Sequence, residues 1–229
     1  MDGASPLSLI LHGDPALLAI VRLSLAVTLS ATALAALIGI PLGTLIAMSR
    51  FRGRGAVVVM LNALMGLPPV VVGLAVFLAL SRSGPLGWMG LLFTPAAMIV
   101  AQTLLILPIV AALTRQTVED LWAEYAHELG AMQVAPVARL LTLAYEARFA
   151  LATIVLAGFG RAAAEVGAVM IVGGNIDGFT RVMTTSIALE TSKGNLPLAI
   201  GLGLVLIAIV VAINAVTWGV RAWAERHAG

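Results

Sequence analysis

The sequence has no cysteine and very little charge. Without cysteine, disulfides and thiolate metal sites are excluded. Only 10% of the residues are charged, whereas an average soluble domain has about 25%. Hydrophobic residues make up 61% of the chain and the mean hydropathy is +1.07. A soluble core cannot hide so much apolar surface, so lipid is the expected solvent for most of this chain.

The chain is also poor in residues that carry chemistry. Its three histidines, His12, His127 and His227, lie in different segments, and no nucleophile–base or metal-ligand spacing links them. A G-x-x-x-x-G-K-[ST] phosphate loop is absent, so ATP, if it is used, must bind to another polypeptide. The net charge of +2 is too small for a nucleic-acid-binding surface. We therefore expect no catalytic site, no metal site, no cofactor and no nucleic-acid partner in this chain.

Long apolar runs are what the chain has in abundance. A spanning helix needs about 20 apolar residues, and five stretches meet that length. Pro68-Pro69 must break or kink the second stretch, and Gly39 and Gly43 form a GxxxG that lets another helix approach closely. The sequence predicts an all-α membrane protein with five transmembrane helices, at 23–47, 57–80, 91–113, 149–173 and 196–220.

The distribution of basic residues predicts the topology. The connections and the C-terminal tail on one side carry eight Lys and Arg residues, whereas the connections on the other side carry three, and the richer side includes the short loop 49–56. Under the positive-inside rule the richer side is cytoplasmic. We expect an extracytoplasmic N-terminal lead at 1–22, a transmembrane domain at 23–220 and a cytoplasmic tail at 221–229. The start lacks the basic region of a cleaved signal peptide, so the first membrane helix is expected to drive insertion.

A polar, acidic stretch at 114–148 interrupts the apolar runs on the cytoplasmic side. Glu124, Ala126 and Gly130 form the pattern E-x-A-x-x-x-G. An acidic helix start, a small residue and a glycine that ends or bends the helix suit a short helix wedged into a partner's groove. This predicts an amphipathic segment that binds a partner. The alternative is a helix lying on the inner leaflet, although such helices are usually rich in Lys and Arg.

Arg161 and Glu165 are charged residues near the middle of the fourth predicted span. Four residues apart, they meet on one helix face, and ionisable residues at that depth indicate function by default. An internal ion pair that fixes helix packing is an equal alternative. A proton relay is disfavoured because arginine does not release its proton.

The segment 174–195, on the outer side, is rich in neutral hydrogen-bond donors. Such donors with a single arginine suit the transient passage of a dianion, because they replace its water without trapping it. A helix beginning near Thr180 would also offer its N-terminus to an anion. The alternative is an ordinary polar loop with a re-entrant helix. The candidates for a translocation pathway or gate are Arg161, Glu165, Asn175, Thr180, Arg181, Thr184 and Thr185.

The E-x-A-x-x-x-G pattern resembles the EAA loop of ABC-importer permeases, EAA-x3-G-x9-I-x-LP. Tyr125 stands in place of the first Ala, and Leu140, Thr142 and Leu143-Ala144 replace the later I-x-LP. Residues 24–47 and 67–87 look like the first core helix of this superfamily and the next helix with its turn. Residues 158–194, with EVGAVMIVGGNI and TRVMTTSIALETSKG, resemble permeases of tungstate ABC transporters.

This resemblance implies a type I ABC importer permease fold that acts as a homodimer in the inner membrane. An ABC ATPase subunit that binds ATP and Mg would dock on Glu124, Ala126 and Gly130 of the 114–148 coupling loop. A periplasmic or lipid-anchored binding protein would deliver an oxyanion, namely tungstate, or alternatively molybdate or sulfate. A different class, an ion-coupled secondary transporter using Arg161 and Glu165, is disfavoured by the single pair and the lack of internal repeats.

Overall fold

The computed structural model describes residues 15–132 and 135–227, and within these ranges the regular structure is helical. Of the predicted N-terminal lead, 1–22, residues 1–14 therefore lie outside the described residues. A single 3-10 turn, Gly87–Met89, joins the third and fourth helices. The helices are α1 (Pro15–Met48), α2 (Arg54–Met65), α3 (Pro69–Leu80), α4 (Pro95–Ala131), α5 (Pro136–Glu146), α6 (Arg148–Ala163), α7 (Gly167–Gly173), α8 (Met183–Ser192) and α9 (Leu196–His227).

Prolines mark where several helices begin. Pro15, Pro69, Pro95 and Pro136 are each the first residue of a helix, where the missing N–H has no intrahelical partner to lose and the fixed φ suits the helix. Pro68 precedes α3 in an extended conformation. The predicted break at Pro68-Pro69 is therefore confirmed, because α2 ends at Met65 and α3 starts at Pro69.

Three described helices are long and apolar enough to cross a membrane by themselves. They are Leu17–Met48, Pro95–Glu128 and Leu196–Gly219. Two further spans exist only if helices separated by a short break are counted together, Arg54–Met65 with Pro69–Leu80 and Arg148–Ala163 with Gly167–Gly173. The all-helical membrane architecture is confirmed, with three to five spans among the described residues.

The prediction of one continuous helix over 149–173 is wrong. Helix α6 ends at Ala163 and α7 starts at Gly167, with Glu165 in the break between them. The Glu165 side chain accepts a hydrogen bond from the N–H of Ala168 in the first turn of α7. A carboxylate in this place satisfies a donor that a helix start leaves open, so the break is stabilised by the residue that also carries the charge.

The prediction of a short separate helix starting near Glu124 is also wrong. Helix α4 runs without interruption from the third span through Glu124 and Ala126 and ends one residue after Gly130. The stretch after the span contains Glu, Leu, Trp and Ala and no Pro or Gly before Gly130, so nothing in it opposes helix propagation. Residues 133–134 of the predicted loop lie outside the described residues, and α5 forms most of the remainder.

Contacts divide the described chain into two compact units. One contains residues 32–67 and 103–159. In it, Gly39 and Gly43 of α1 lie against α4: a Cβ on Gly39 would lie 3.0 Å from a Val110 methyl group, and one on Gly43 would lie 2.9 Å from the backbone nitrogen of Arg115. The close approach predicted from the GxxxG is confirmed at both glycines.

The other unit contains residues up to 31, 68–102 and from 160 onward. Helix α3 packs on α7 so tightly that a Cβ on Gly73 would lie 2.7 Å from the Cα of Ala168. The N–H of Phe93 donates to the carbonyl of Val172 at 2.9 Å. A separate apolar cluster around Leu17, Met183 and Leu202 joins α1, α8 and α9. These contacts hold α7 and α8, which carry Thr184 and Thr185 and enclose the segment with Asn175, Thr180 and Arg181.

Candidate translocation and coupling sites

Glu165 is the most deeply buried charged residue among those described, with 3% of its side chain exposed. Its Oε2 lies 2.8 Å from Nη1 of Arg161, and its Oε1 accepts from the N–H of Ala168 at 3.0 Å. The backbone carbonyl of Glu165 accepts from the hydroxyl of Thr184 at 2.8 Å. Both carboxylate oxygens and the carbonyl are therefore satisfied, and Glu165 joins α6, α7 and α8 at the break.

The Arg161 side chain is one-third exposed, although its partner is buried. One guanidinium nitrogen binds Glu165, and the arginine fork has further N–H groups to offer. The predicted Arg161–Glu165 ion pair is thus formed. It leaves the carboxylate fully occupied and the guanidinium partly open, so of the two residues Arg161 is the one that can meet an anion.

Three predicted pathway threonines hold the local backbone together. The Thr180 side chain is buried, accepts from the N–H of Ile176 at 2.9 Å and donates to the carbonyl of Gly173 at 2.5 Å. The Thr185 hydroxyl accepts from the N–H of Val182 at 3.1 Å. Thr184 is bound to Glu165 as described above. These hydroxyls position the backbone, and each of them donates its hydrogen bond to a backbone carbonyl group.

The helix expected near Thr180 begins instead at Met183. The N–H of Met183 donates to the hydroxyl of Ser24 in α1 at 2.7 Å. The N–H of Val182 is taken by Thr185, as described above. Two of the N–H groups at the start of α8 therefore already have partners inside the protein and are not available to an anion.

Asn175 and Arg181 keep unused polar atoms. Asn175 has a left-handed backbone conformation, with φ of 50°. Within the described part of the chain, its buried Oδ1 and the buried Nε of Arg181 have no hydrogen-bond partner. Nη1 of Arg181 lies 2.9 Å from Oδ1 of Asp177. Asp177 was not identified from the sequence as the ion-pair partner of Arg181, although the i,i+4 spacing of the two residues indicates such a pair.

The predicted docking residues lie at the far end of α4. Glu124 is exposed and Ala126 is half-buried. Gly130 is the next-to-last residue of α4, which ends at Ala131. A cavity of about 330 Å³ opens beside Ala126. It is lined by Ala47, Met48, Ser49, Arg50, Arg54, Glu119, Trp122, Ala123 and Ala126.

An ion-pair network, which sequence reasoning missed, supports this cavity. Glu119 pairs with Arg54 at 2.7 Å and with Arg115 one turn earlier on α4. Nε of Arg54 also donates to the carbonyl of Ile46 near the end of α1, at 3.0 Å. The network therefore ties the ends of α1 and α2 to α4. The pair Arg115–Glu119 is visible as i,i+4 spacing, but the long-range partner Arg54 is not.

Known proteins are similar to this chain over most of its length. The tungstate uptake system permease protein TupB of Peptoclostridium acidaminophilum is 44% identical over 215 residues, 94% of each chain. The chain belongs to the tungstate uptake permease family. A probable anion ABC transporter permease protein of Haloferax volcanii is 42% identical over 87% of this chain and 88% of its own.

Members of this family are more similar to the chain than a molybdenum relative is. The molybdenum transport system permease protein ModB of Azotobacter vinelandii is 28% identical over 74% of this chain and 79% of its own. A scan against models of protein families found no match. Together with its apolar helices, family membership makes this chain a multi-pass membrane permease, a translocation subunit.

Proposed function

We propose that the chain is the transmembrane permease subunit of an ATP-driven importer that carries tungstate into the cell. The observation that carries the proposal is the 44% identity to a tungstate uptake permease over 94% of both chains. The lower identity to a molybdenum permease ranks molybdate second among the cargoes. Sulfate import by a permease of the same class is the remaining alternative.

The proposed topology follows the positive-inside rule. The N-terminal lead 1–22 is extracytoplasmic, the permease domain spans 23–220 with the coupling loop at 114–148, and the tail 221–229 is cytoplasmic. The membrane is the inner, cytoplasmic membrane, whose lipid surrounds the apolar helices. Helix α4 then extends from the bilayer into the cytoplasm.

Coupling to ATP is proposed at the end of α4. The chain has no phosphate loop of its own, so a partner ABC ATPase binds ATP and Mg and docks on Glu124, Ala126 and Gly130. The support is geometric: Glu124 is exposed, and the helix that carries it is continuous back to Pro95. A displacement of the docked end would therefore act on the part of α4 that lies against Gly39 and Gly43 of α1 in the same unit. In a homodimer, two such ends would move together.

The oxyanion is proposed to pass along residues of segment 158–194. A periplasmic or lipid-anchored binding protein delivers it to the outer loops. Arg161 and Arg181 have N–H groups that remain available, which suits them to contact the anion. The unused Oδ1 of Asn175 can only accept a hydrogen bond, so Asn175 is proposed to line the gate without binding the anion through that atom. Glu165, Thr180, Thr184 and Thr185 are proposed to shape the gate, because their hydrogen bonds hold the backbone of the break and of α8.

The energy source tests this class of function. Tungstate uptake by cells that contain the chain is measured with cellular ATP depleted and, separately, with the proton and sodium gradients collapsed. ATP-driven import predicts that uptake stops on ATP depletion and persists for the first minutes without the gradients. Uptake that survives ATP depletion but stops without the gradients would identify a secondary transporter and contradict the proposal.

A further inference from the structure

Asp177 and Arg181 form an ion pair at the mouth of a small cavity. Nη1 of Arg181 and Oδ1 of Asp177 are 2.9 Å apart, with 21% of the arginine side chain and 79% of the aspartate side chain exposed. The cavity measures about 170 Å³. Its lining is Ala19, Ile20 and Leu23 of α1 together with Asp177, Gly178, Phe179 and Arg181.

The lining has one positive charge, on Arg181, one negative charge, on the largely exposed Asp177, and no other charged or polar side chain. A cavity of this volume holds several water molecules and is smaller than the pockets that take drug-sized ligands. Arg181 is its only cationic lining residue. The site therefore suits a small inorganic anion, partly hydrated, that binds through the guanidinium group.

The guanidinium group is only partly used in this arrangement. Asp177 binds Nη1, and Nε is buried without a hydrogen-bond partner in the described part of the chain. Guanidinium groups bind tetrahedral oxyanions through two parallel N–H groups. An oxyanion that takes the place of Asp177 at Nη1 has further oxygens to offer to the other N–H groups of Arg181, including Nε, to which the aspartate in its present position is not bonded.

Asp177 is weakly held where it is. Ion pairs with a largely exposed partner contribute little to stability, and four-fifths of this carboxylate already faces solvent. Releasing it into water therefore costs little. A dianion has twice the charge of the carboxylate and competes well for the same guanidinium group.

We propose that Arg181 is a binding site for a small oxyanion and that Asp177 occupies it as a tethered counter-ion until the anion displaces it. This deepens the proposed function and rests on it for the identity of the cargo. The tethered carboxylate keeps the arginine neutralised between transport events and lowers the affinity for the passing anion, which favours release over trapping.

The test measures binding to the purified full-length chain in lipid nanodiscs. Sodium tungstate, sodium sulfate and sodium chloride are titrated calorimetrically at matched ionic strength. Asp177→Asn removes the competitor, so tungstate is expected to bind about fivefold more tightly than to the wild type, the factor that corresponds to a pair of about 1 kcal/mol. Asp177→Glu is expected to resemble the wild type, and Arg181→Gln to lose binding.

Asp120→Asn is the matched control, because it removes one exposed carboxylate from a different part of the chain. It leaves tungstate affinity unchanged if the effect is local. Equal affinities for Asp177→Asn and Asp120→Asn would overturn the proposal. Failure of both the wild type and Asp177→Asn to bind any oxyanion at millimolar concentration would overturn it as well. Helical circular dichroism confirms that each variant is folded.

The same titrations separate this inference from the proposed function. Sulfate binding that follows the variant pattern while tungstate does not bind would support the anion site and contradict tungstate as cargo. Conversely, tungsten uptake that depends on the chain, with identical anion affinities in all variants, would support the function and overturn the role of Asp177.

Discussion

Replacing Glu165 by glutamine is expected to destabilise the protein substantially. The variant keeps the shape of the side chain and one oxygen for the N–H of Ala168, but it removes the charge that faces Arg161 at 2.8 Å. Breaking a buried pair by removing one partner costs about 3–5 kcal/mol. Because one-third of Arg161 is exposed, water screens part of that loss, and about 2–3 kcal/mol is the expected cost.

The loss is measurable as a change in melting temperature. For a chain of this length, 1 kcal/mol corresponds to about 2–4 °C, so Glu165→Gln is expected to melt about 4–12 °C below the wild type. The assay is heating in detergent followed by fluorescence-detected size-exclusion chromatography. Tungstate uptake in cells is expected to fall in parallel, because the lost ion pair joins α6 to the break before α7.

A double-mutant cycle isolates the pair itself. Arg161→Gln with Glu165→Gln removes both charges and is expected to be less destabilised than the sum of the two single variants. Glu124→Gln, at an exposed carboxylate, is the control and is expected to leave the melting temperature unchanged. A wild-type melting temperature for Glu165→Gln, or simple additivity in the double variant, would refute the account of this pair.

Three further changes test other parts of the structure. Gly43→Leu is expected to prevent folding, because its side chain would collide with the backbone of α4, whereas Gly160→Ala meets no atom within 4 Å and is expected to retain wild-type yield and melting temperature. Gly130→Arg is expected to abolish transport and ATPase co-purification while membrane insertion is retained; normal co-purification would contradict docking at this residue. The hydrogen bond from Lys193 is the main cause that lowers the pKa of Glu190 below its ordinary 4.5. A lowered pKa means that the stabilisation is present above 4.5 and is lost as the pH falls through the lowered value. Glu190→Gln is therefore expected to reduce stability slightly at pH 7 and by less as the pH falls below 4.5, as thermal melts across this pH range would measure.

The sequence predicts the membrane helices well because their signals are local. Apolar length identifies the spans, and Pro68-Pro69 marks a break that no neighbouring helix can remove. Gly39 and Gly43 indicate a close helix contact by their spacing alone. These features depend on residues that are near one another in the chain, so they can be read before the fold is known.

The features that the sequence did not predict correctly depend on contacts or helix continuity that a local pattern does not reveal. Arg161 and Glu165 have the i,i+4 spacing of a pair on one helix face, so the spacing suggests a continuous helix and gives no sign of the break after Ala163. Arg54 and Glu119 are 65 positions apart in the sequence. No local pattern reveals that their side chains form an ion pair. At 114–131 the change from apolar to polar residues predicts the end of a span, but it does not mark the end of the helix, which continues to Ala131.

The uptake of tungsten, molybdenum and sulfur by cells with and without this chain tests the central claim most directly. Tungsten, molybdenum and sulfur are measured in both strains at nanomolar tungstate and molybdate, with the wild-type gene returned as a control. The account predicts a selective loss of tungsten that the returned gene restores. Loss of molybdenum or sulfur with tungsten unchanged would contradict tungstate as the cargo.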